Sequence, residues 1–316
     1  MILDYKNLLA RYPWIIEEGQ DCILSPDSDG LLCGLFMSHH LNWKIRGFYD
    51  GKVLIFDEGI DPRKCVFLDM EILRSGVRSV GQHMLMYDKK DLPKKWNDFS
   101  QCISANNLRD FDFKNDFKEK YPLGTIHLLA AIVGQNKKVI IKKNAVSSLL
   151  YTDGTFKNQF NYPENCLKWL DYLCADKNDN PLRSIFMDPH YSTYELMIAL
   201  RDLFADINRI GGGKRGGDKI RISDSRGNPV SLRGKMFKEE ITKQAESFIE
   251  MLADRTGWGF SRGSWKWGPY RIFRFKKGSI KPGKGRYQKM FSGNLLSFAI
   301  ISRNSIEYTL DPQKLF

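Results

Sequence analysis

The stretch Ile23-Leu24-Ser25-Pro26-Asp27-Ser28-Asp29-Gly30-Leu31-Leu32-Cys33 decides the fold. A β run over residues 21–25 feeds a tight turn at 26–30, and an apolar helix is expected from 31 to about 40. Strand, acidic turn and helix in direct succession open a parallel α/β unit. Asp-x-Asp in such a turn sets two hard oxygen donors within reach of one divalent cation.

The flanking sequence extends the pattern. Residues 2–18 read as an amphipathic helix with Leu8, Leu9, Tyr12, Ile15 and Ile16 on one face, split or kinked at Pro13. Residues 44–49 and 52–56 read as strands joined at Asp50-Gly51. Cys65-Val66-Phe67-Leu68 reads as a buried strand ending at Asp69. A helix and a further strand, 77–80, then lead to Gly81-Gln82-His83. Residues 89–120 are polar and loop-rich, and 124–133 is a strong helix. Ser192-Thr193-Tyr194-Glu195 is a capping box for a helix reaching about 207. The alternation predicts an α/β fold with a mostly parallel sheet.

Three of these strands end in polar groups: Asp27 and Asp29, then Asp69, then His83. Open α/β sheets gather active sites outside the carboxyl ends of their strands. Carboxylates with an imidazole make a hard, mixed O/N donor set suited to Mn²⁺ or Mg²⁺. Asp69 and His83 are therefore the candidate catalytic residues, with Asp27 and Asp29 as further ligands. Ser38-His39-His40 follows a helix rather than a strand, and reads as a helix C-terminus where His is favoured by the dipole.

These segments, in this order, resemble the DHH phosphoesterase superfamily, and RecJ-type nucleases within it. Residues 23–33 are similar to the first family motif, an Asp-x-Asp-Gly turn after a strand. Val66-Phe67-Leu68-Asp69-Met70-Glu71-Ile72 is similar to the second, which ends in a metal-bridging Asp. Ser79-Val80-Gly81-Gln82-His83-Met84-Leu85 resembles the third, where Asp-His-His follows a strand. Asn106-Asn107 and residues 121–131 resemble the RecJ stretch beyond it. Residues 170–182 resemble the fourth, so the resemblance implies Asp176 or Asp179 as the last metal ligand. It spans about residues 18–185. The departures are specific. Only the middle His survives in Gln82-His83-Met84, the family's first-motif His falls at Ile23, and the extra RecJ acid falls at Ser25. The resemblance thus preserves one of two metal sites, made of Asp29, Asp69, His83 and a fourth-motif Asp. The other keeps Asp27 and the shared Asp69. Loss of one site slows or abolishes the chemistry, and the eukaryotic replication-fork relative of RecJ is a DHH fold without activity.

The chain of 316 residues carries a net charge of +12, an imbalance that points to a polyanionic partner. Hydrophobic residues at 42% and charged residues at 27% exclude a disordered or fibrous class. No stretch reaches the ~18 apolar residues of a membrane span, and Met1-Ile2-Leu3-Asp4-Tyr5-Lys6 has no signal-peptide core. A cytoplasmic location with no membrane partner is expected. The six cysteines form no C-x-x-C pair and read as buried thiols. Gly211-Gly212-Gly213-Lys214-Arg215-Gly216-Gly217 reads as a linker, because the strand-before, helix-after context of a P-loop is missing.

Residues 255–306 hold twelve Lys or Arg and no Asp or Glu, interleaved with aromatics. Cations neutralise phosphates and aromatic faces stack bases. Arg262, Trp265, Lys266, Trp267, Arg271, Arg274, Lys276, Lys277, Lys284 and Arg286 are the candidate nucleic-acid contacts, with 270–276 as one strand bearing a basic face. The expected organisation is a DHH-like domain at 1–205, a Gly/basic linker at 206–235, and a smaller basic α+β domain at 236–316. The leading expectation is a Mn²⁺- or Mg²⁺-dependent nuclease acting on single-stranded nucleic acid, with a possible protein partner in a DNA-processing complex. The alternatives are an inactive nucleic-acid-binding scaffold and a small-nucleotide phosphodiesterase.

Overall fold

Strand β1 (Asp21–Leu24) is apolar and covered on both faces, as a central parallel strand must be. It pairs in parallel with β2 (Lys44–Tyr49) on one side and with β4 (Val66–Leu68) on the other. The computed structural model describes residues 2–213 and 216–316. Its main sheet adds β3 (Val53–Asp57), β5 (Arg78–Gly81) and β6 (Cys102–Ser104). Leu232–Arg233 and Met236–Phe237 form a two-stranded ribbon, β7 and β8. The seventh strand of the main sheet is β9 (Tyr270–Arg274), and the order is β6-β5-β4-β1-β2-β3-β9. Strands β6, β5, β4, β1 and β2 are parallel, whereas β3 and β9 join antiparallel. The expected mixed α/β architecture with a mostly parallel sheet is therefore present.

The Ser28–Leu41 helix packs on this sheet, and the Thr125–Val133 helix packs on that helix in turn. The Ser28–Leu41 helix is buried from Asp29 to Ser38, and every residue of the Thr125–Val133 helix is buried. Such all-round burial is the mark of a central helix. They pack on each other, and the Ser28–Leu41 helix also meets the Glu239–Thr256 helix. The turn between β1 and Ser28–Leu41 is tight enough to require glycine at 30. A Cβ there would lie 2.2 Å from the Ser25 carbonyl oxygen.

A second, smaller sheet has the order β10-β12-β11, from β10 (Lys276–Ile280), β11 (Leu295–Ser302) and β12 (Ser305–Leu310). With the Lys284–Ser292 helix it builds its own cluster, in which Tyr287, Phe291, Phe298 and Ile306 pack against Leu73, Met84, Leu85 and Phe99.

The structure departs from the sequence reading at several points. The 2–18 helix is split at Pro13, one of the two expected outcomes, into a helix over Tyr5–Arg11 and a 3₁₀ turn over Pro13–Ile16, and it is shorter than expected at both ends. No helix lies between β4 and β5, which are joined by an irregular segment. Residues 270–276 form two strands in two sheets, broken at Phe275, so no single basic face exists. The division at 236 does not follow the packing. β9 hydrogen-bonds to β3, and Phe248, Ile249 and Leu252 share the core of the Ser28–Leu41 helix. The segment expected to be a linker also packs. Ile220 and Ile222 are core residues, and the Ile220 N–H donates to the Pro26 carbonyl at 2.8 Å. Lys214 and Arg215 lie outside the described residues. All six cysteines are free and buried, as expected. Among the described residues no helix is long and apolar enough to cross a membrane.

Gly30→Ala is expected to destabilise the fold by about 1–3 kcal/mol through overpacking against backbone. Gly285→Ala, with nothing within 4 Å of the added carbon, is expected to change stability by less than ~1 kcal/mol. Urea unfolding midpoints of the two variants check this contrast.

Candidate metal centre

Neighbouring strands β1, β4 and β5 deliver their carboxyl ends side by side. The chain leaves β1 toward β2 on one side and returns to β4 on the other, which makes the β1/β4 gap the switch point where open sheets bind ligands. Asp27 and Asp29 follow β1, Asp69 follows β4, and His83 follows β5. Of these four, Asp69 and His83 fall in the group whose donor atoms converge, whereas Asp27 and Asp29 do not.

Asp27 caps the Ser28–Leu41 helix, its Oδ1 accepting from the Gly30 N–H at 3.2 Å. Asp29 is fully buried. Its oxygens accept from the Thr125 and Ile126 N–H groups at 2.6 and 3.1 Å, at the N-terminus of the Thr125–Val133 helix. That terminus carries partial positive charge and unpaired donors, and it stabilises a carboxylate. Gly124 permits the approach, since a Cβ there would sit 3.1 Å from both Asp29 oxygens. The Thr125 hydroxyl donates in turn to Asp69 Oδ1 at 2.7 Å. One residue thus orients two acids.

His83 Nε2 lies 3.5 Å from Asp69 Oδ1. Its loop is braced by Asn106, whose amide donates to the carbonyls of Gln82 and Met84 at 2.9 Å each. The same side chain accepts from the Tyr121 N–H at 2.8 Å. The donor atoms of Asp69, His83 and Asp153 all lie within 4.8 Å of one another. Asp153 reaches the cluster from the turn after the Ala145–Tyr151 helix, and Gln82 Nε2 donates to its Oδ2. Asp69 and Asp153 both hold left-handed backbone, at φ 63° and 50°. Such conformations are uncommon outside glycine and gather where side chains must be aimed.

Asp153 stands in this group where the sequence led us to expect Asp176 or Asp179. Asp176 and Asp179 are exposed in the turn before the Pro181–Phe186 helix and lie outside the cluster. Sequence reading missed Asp153, although Thr152-Asp153-Gly154 carried a usable signal, an Asp-Gly turn after a helix. The residues on either side of His83 have structural roles of their own. Gln82 holds Asp153, and Met84 is buried in the small-sheet cluster.

Burial first, and then Asp69, Asp153 and Asp27, push the Asp29 carboxyl well above the usual carboxylate range. Burial followed by Asp27 and Asp153 does the same to Asp69. Glu71, buried beneath them, is also raised by burial. Among the described residues none of these acids pairs with Lys or Arg, and His83 is the single basic partner of Asp69. Uncompensated acids with an imidazole fit a hard divalent cation. The residues present therefore suit Mn²⁺ or Mg²⁺.

The centre opens into a cleft of ≈ 720 Å³. Its walls are the β1 turn, the Asp50–Gly51 turn, the 216–223 segment and the small sheet, and they carry Lys52, Lys219, Arg221 and Lys277. Of the other expected nucleic-acid contacts, Trp265 is buried, and Trp267 is stacked on Phe48 and Trp265. Neither offers a face to a base. Arg262 pairs with Glu250, Lys277 with Glu307 and Lys284 with Asp91. Lys266 is half-buried, its N–H donating to the Ile45 carbonyl. Arg271, Arg274, Lys276 and Arg286 are exposed, on three different elements. Comparison with protein-family models, curated proteins and solved structures finds no match.

Asp29 and Asp69 titrate higher in the folded chain than their unfolded value near 3.8. The folded state thus holds extra protons above that pH, and without a metal its stability falls as pH rises through the raised values. Chelated protein is expected to melt higher at pH 5 than at pH 7.5, with Asp69→Asn reducing the difference. Mn²⁺ at 100 times its Kd is expected to add about 2.7 kcal/mol at pH 7.5. Scanning fluorimetry reads both effects, and a melting temperature unmoved by Mn²⁺ counts against the site.

Proposed function

We propose that this chain is a divalent-metal-dependent phosphodiesterase of the DHH type that acts on single-stranded nucleic acid. The observation that carries the reading is the convergence of Asp69, His83 and Asp153 donor atoms within 4.8 Å at the carboxyl ends of adjacent parallel strands. The motif order of the sequence supports it, as does the absence of any Lys or Arg ion pair to these acids among the described residues.

A bound Mn²⁺ or Mg²⁺ supplies positive charge at the phosphoryl oxygens and a water of lowered pKa. The protein's own groups do the rest. Asp69, His83 and Asp153 are the ligands, and Asp27 adds a carboxylate at the cleft wall. The Thr125 hydroxyl fixes Asp69, and Gln82 fixes Asp153. Asn106 fixes the backbone on either side of His83, so the ligand set is held before substrate arrives. Lys219 and Arg221 on the cleft wall meet phosphates beside the scissile one. The cleft volume of ≈ 720 Å³ suits one or two nucleotides, which favours entry by a strand end.

A second reading, a scaffold that binds nucleic acid without cleaving it, is favoured by one feature. Ile23 is buried within β1 where a ligating His is expected, so only Asp27 and the shared Asp69 remain to hold a second ion.

Labelled single-stranded DNA and RNA incubated with Mn²⁺ test the enzyme reading. Asp69→Ala and Asp153→Ala are each expected to lower cleavage by about 100-fold or more. Asp176→Ala and Asp179→Ala are expected to leave it unchanged. Wild-type protein that binds the strands but cleaves none with Mn²⁺, Mg²⁺ or Co²⁺ is the scaffold.

A further inference from the structure

At the C-terminal end of β11, beyond the metal cleft, lies a second depression of ≈ 890 Å³. Ser297, Phe298 and Ala299 line the cleft, while Ile301, Ser302 and Arg303 line this groove. Only Ile300 separates the two. Its N–H donates to the His83 carbonyl at 3.0 Å, and its carbonyl accepts from Lys120 Nζ at 2.7 Å. Lys120 belongs to the groove, yet the charges of Glu71 and Asp153 act on it. The groove therefore begins one residue from the candidate metal centre.

Its chemistry suits a single strand. Lys118, Lys120, Lys168 and Arg303 face two acids, Glu119 and Glu164. Glu119 neutralises Lys168 at 2.6 Å. Lys118 and Arg303 are exposed and have no carboxylate partner among the described residues. The Arg303 guanidinium is already poised over the Phe117 ring at 5.4 Å. Tyr162 is 55% exposed in the groove, and Phe160, 72% exposed, precedes it by two residues. The exposed rings Tyr194 and Phe204 lie instead on the Thr193–Ile210 helix, beside a groove lined by Glu195, Asp202, Asp206 and Glu250. Aromatic exposure and unpaired cations thus coincide at the first groove, the combination that binds single strands by stacking and phosphate neutralisation. The C-terminal rings expected to stack are in the core.

We propose that the groove of Lys118, Tyr162 and Arg303 holds the unreacted length of a single-stranded DNA or RNA whose end occupies the metal cleft. This rests on the phosphodiesterase reading above, and it assigns the longer strand to a surface outside the cleft.

The test measures binding in EDTA, where no cleavage occurs, so that failure of the metal chemistry leaves the assay intact. Fluorescein-labelled 3-mer and 12-mer single strands are titrated by anisotropy against wild type and the triple variant Lys118→Ala/Tyr162→Ala/Arg303→Ala. Wild type is expected to bind the 12-mer at least ~10-fold more tightly than the 3-mer, and the triple variant is expected to lose that difference. The log–log salt slope for the 12-mer is expected to fall by about 1.4, for two lost phosphate contacts at ~0.7 each. Mn²⁺-dependent turnover of a dinucleotide is expected to stay within about twofold of wild type, because none of the three residues lines the metal cleft. Equal affinity of wild type for both lengths overturns the proposal, as does a triple variant, folded by circular dichroism, that binds the 12-mer like wild type. Loss of cleavage in every protein with binding as expected retains the groove and removes the enzyme reading alone.

Discussion

The buried carboxylate of Asp29, seated on the N-terminus of the Thr125–Val133 helix, is the contact around which the candidate site is organised. A charge taken out of water is costly, and hydrogen bonds from two helix-terminal N–H groups offset that cost. The contact fixes where the helix begins. Thr125 is thereby delivered to Asp69, and Gly124 comes to rest between Asp29 and Thr152, the residue before Asp153. From Tyr121 the chain of bonds runs through Asn106 to the backbone around His83. Groups separated by more than a hundred residues are held through one helix terminus.

Charge is distributed unevenly across this arrangement. The chain is strongly basic overall, yet the buried acids Asp29, Asp69 and Glu71 collect at one end of the sheet without Lys or Arg partners among the described residues. Cations stand on the cleft walls and in the groove beyond the end of β11. Fixed charges of opposite sign thus stand close together, the acids buried and the cations nearer solvent.

Local sequence carried much of this. The β1 run, its Asp-x-Asp-Gly turn and the apolar helix were legible because each has its own periodicity or turn chemistry. The same holds for Asp69 and His83 at strand ends, and for the capping box at Ser192, where Glu195 does reach back to the cap. Other features depended on contacts remote in sequence. Asp153 and Asp176 both sit in turns after helices, and only the packing of the Ala145–Tyr151 helix brings the first to the site. The basic, aromatic composition of residues 255–306 was real, but composition does not say which ring faces inward. Trp258, Trp265, Tyr270 and Tyr287 turn out to be core. The boundary at 236 failed for the same reason, because β9 finds its partner in β3 across more than two hundred residues.

That pairing has a consequence for the chain while it is being made. β3 presents an open edge, Val53 to Asp57, from the moment its hairpin with β2 forms. The strand that covers it, Tyr270 to Arg274, follows more than two hundred residues later. At ~5–20 residues per second, the intervening stretch takes roughly 10–40 s to leave the ribosome. Throughout that interval the nascent sheet carries an unpaired apolar edge of the kind that recruits other strands. Pairing with Tyr270–Arg274 is therefore what closes this edge, both during translation and in the finished molecule.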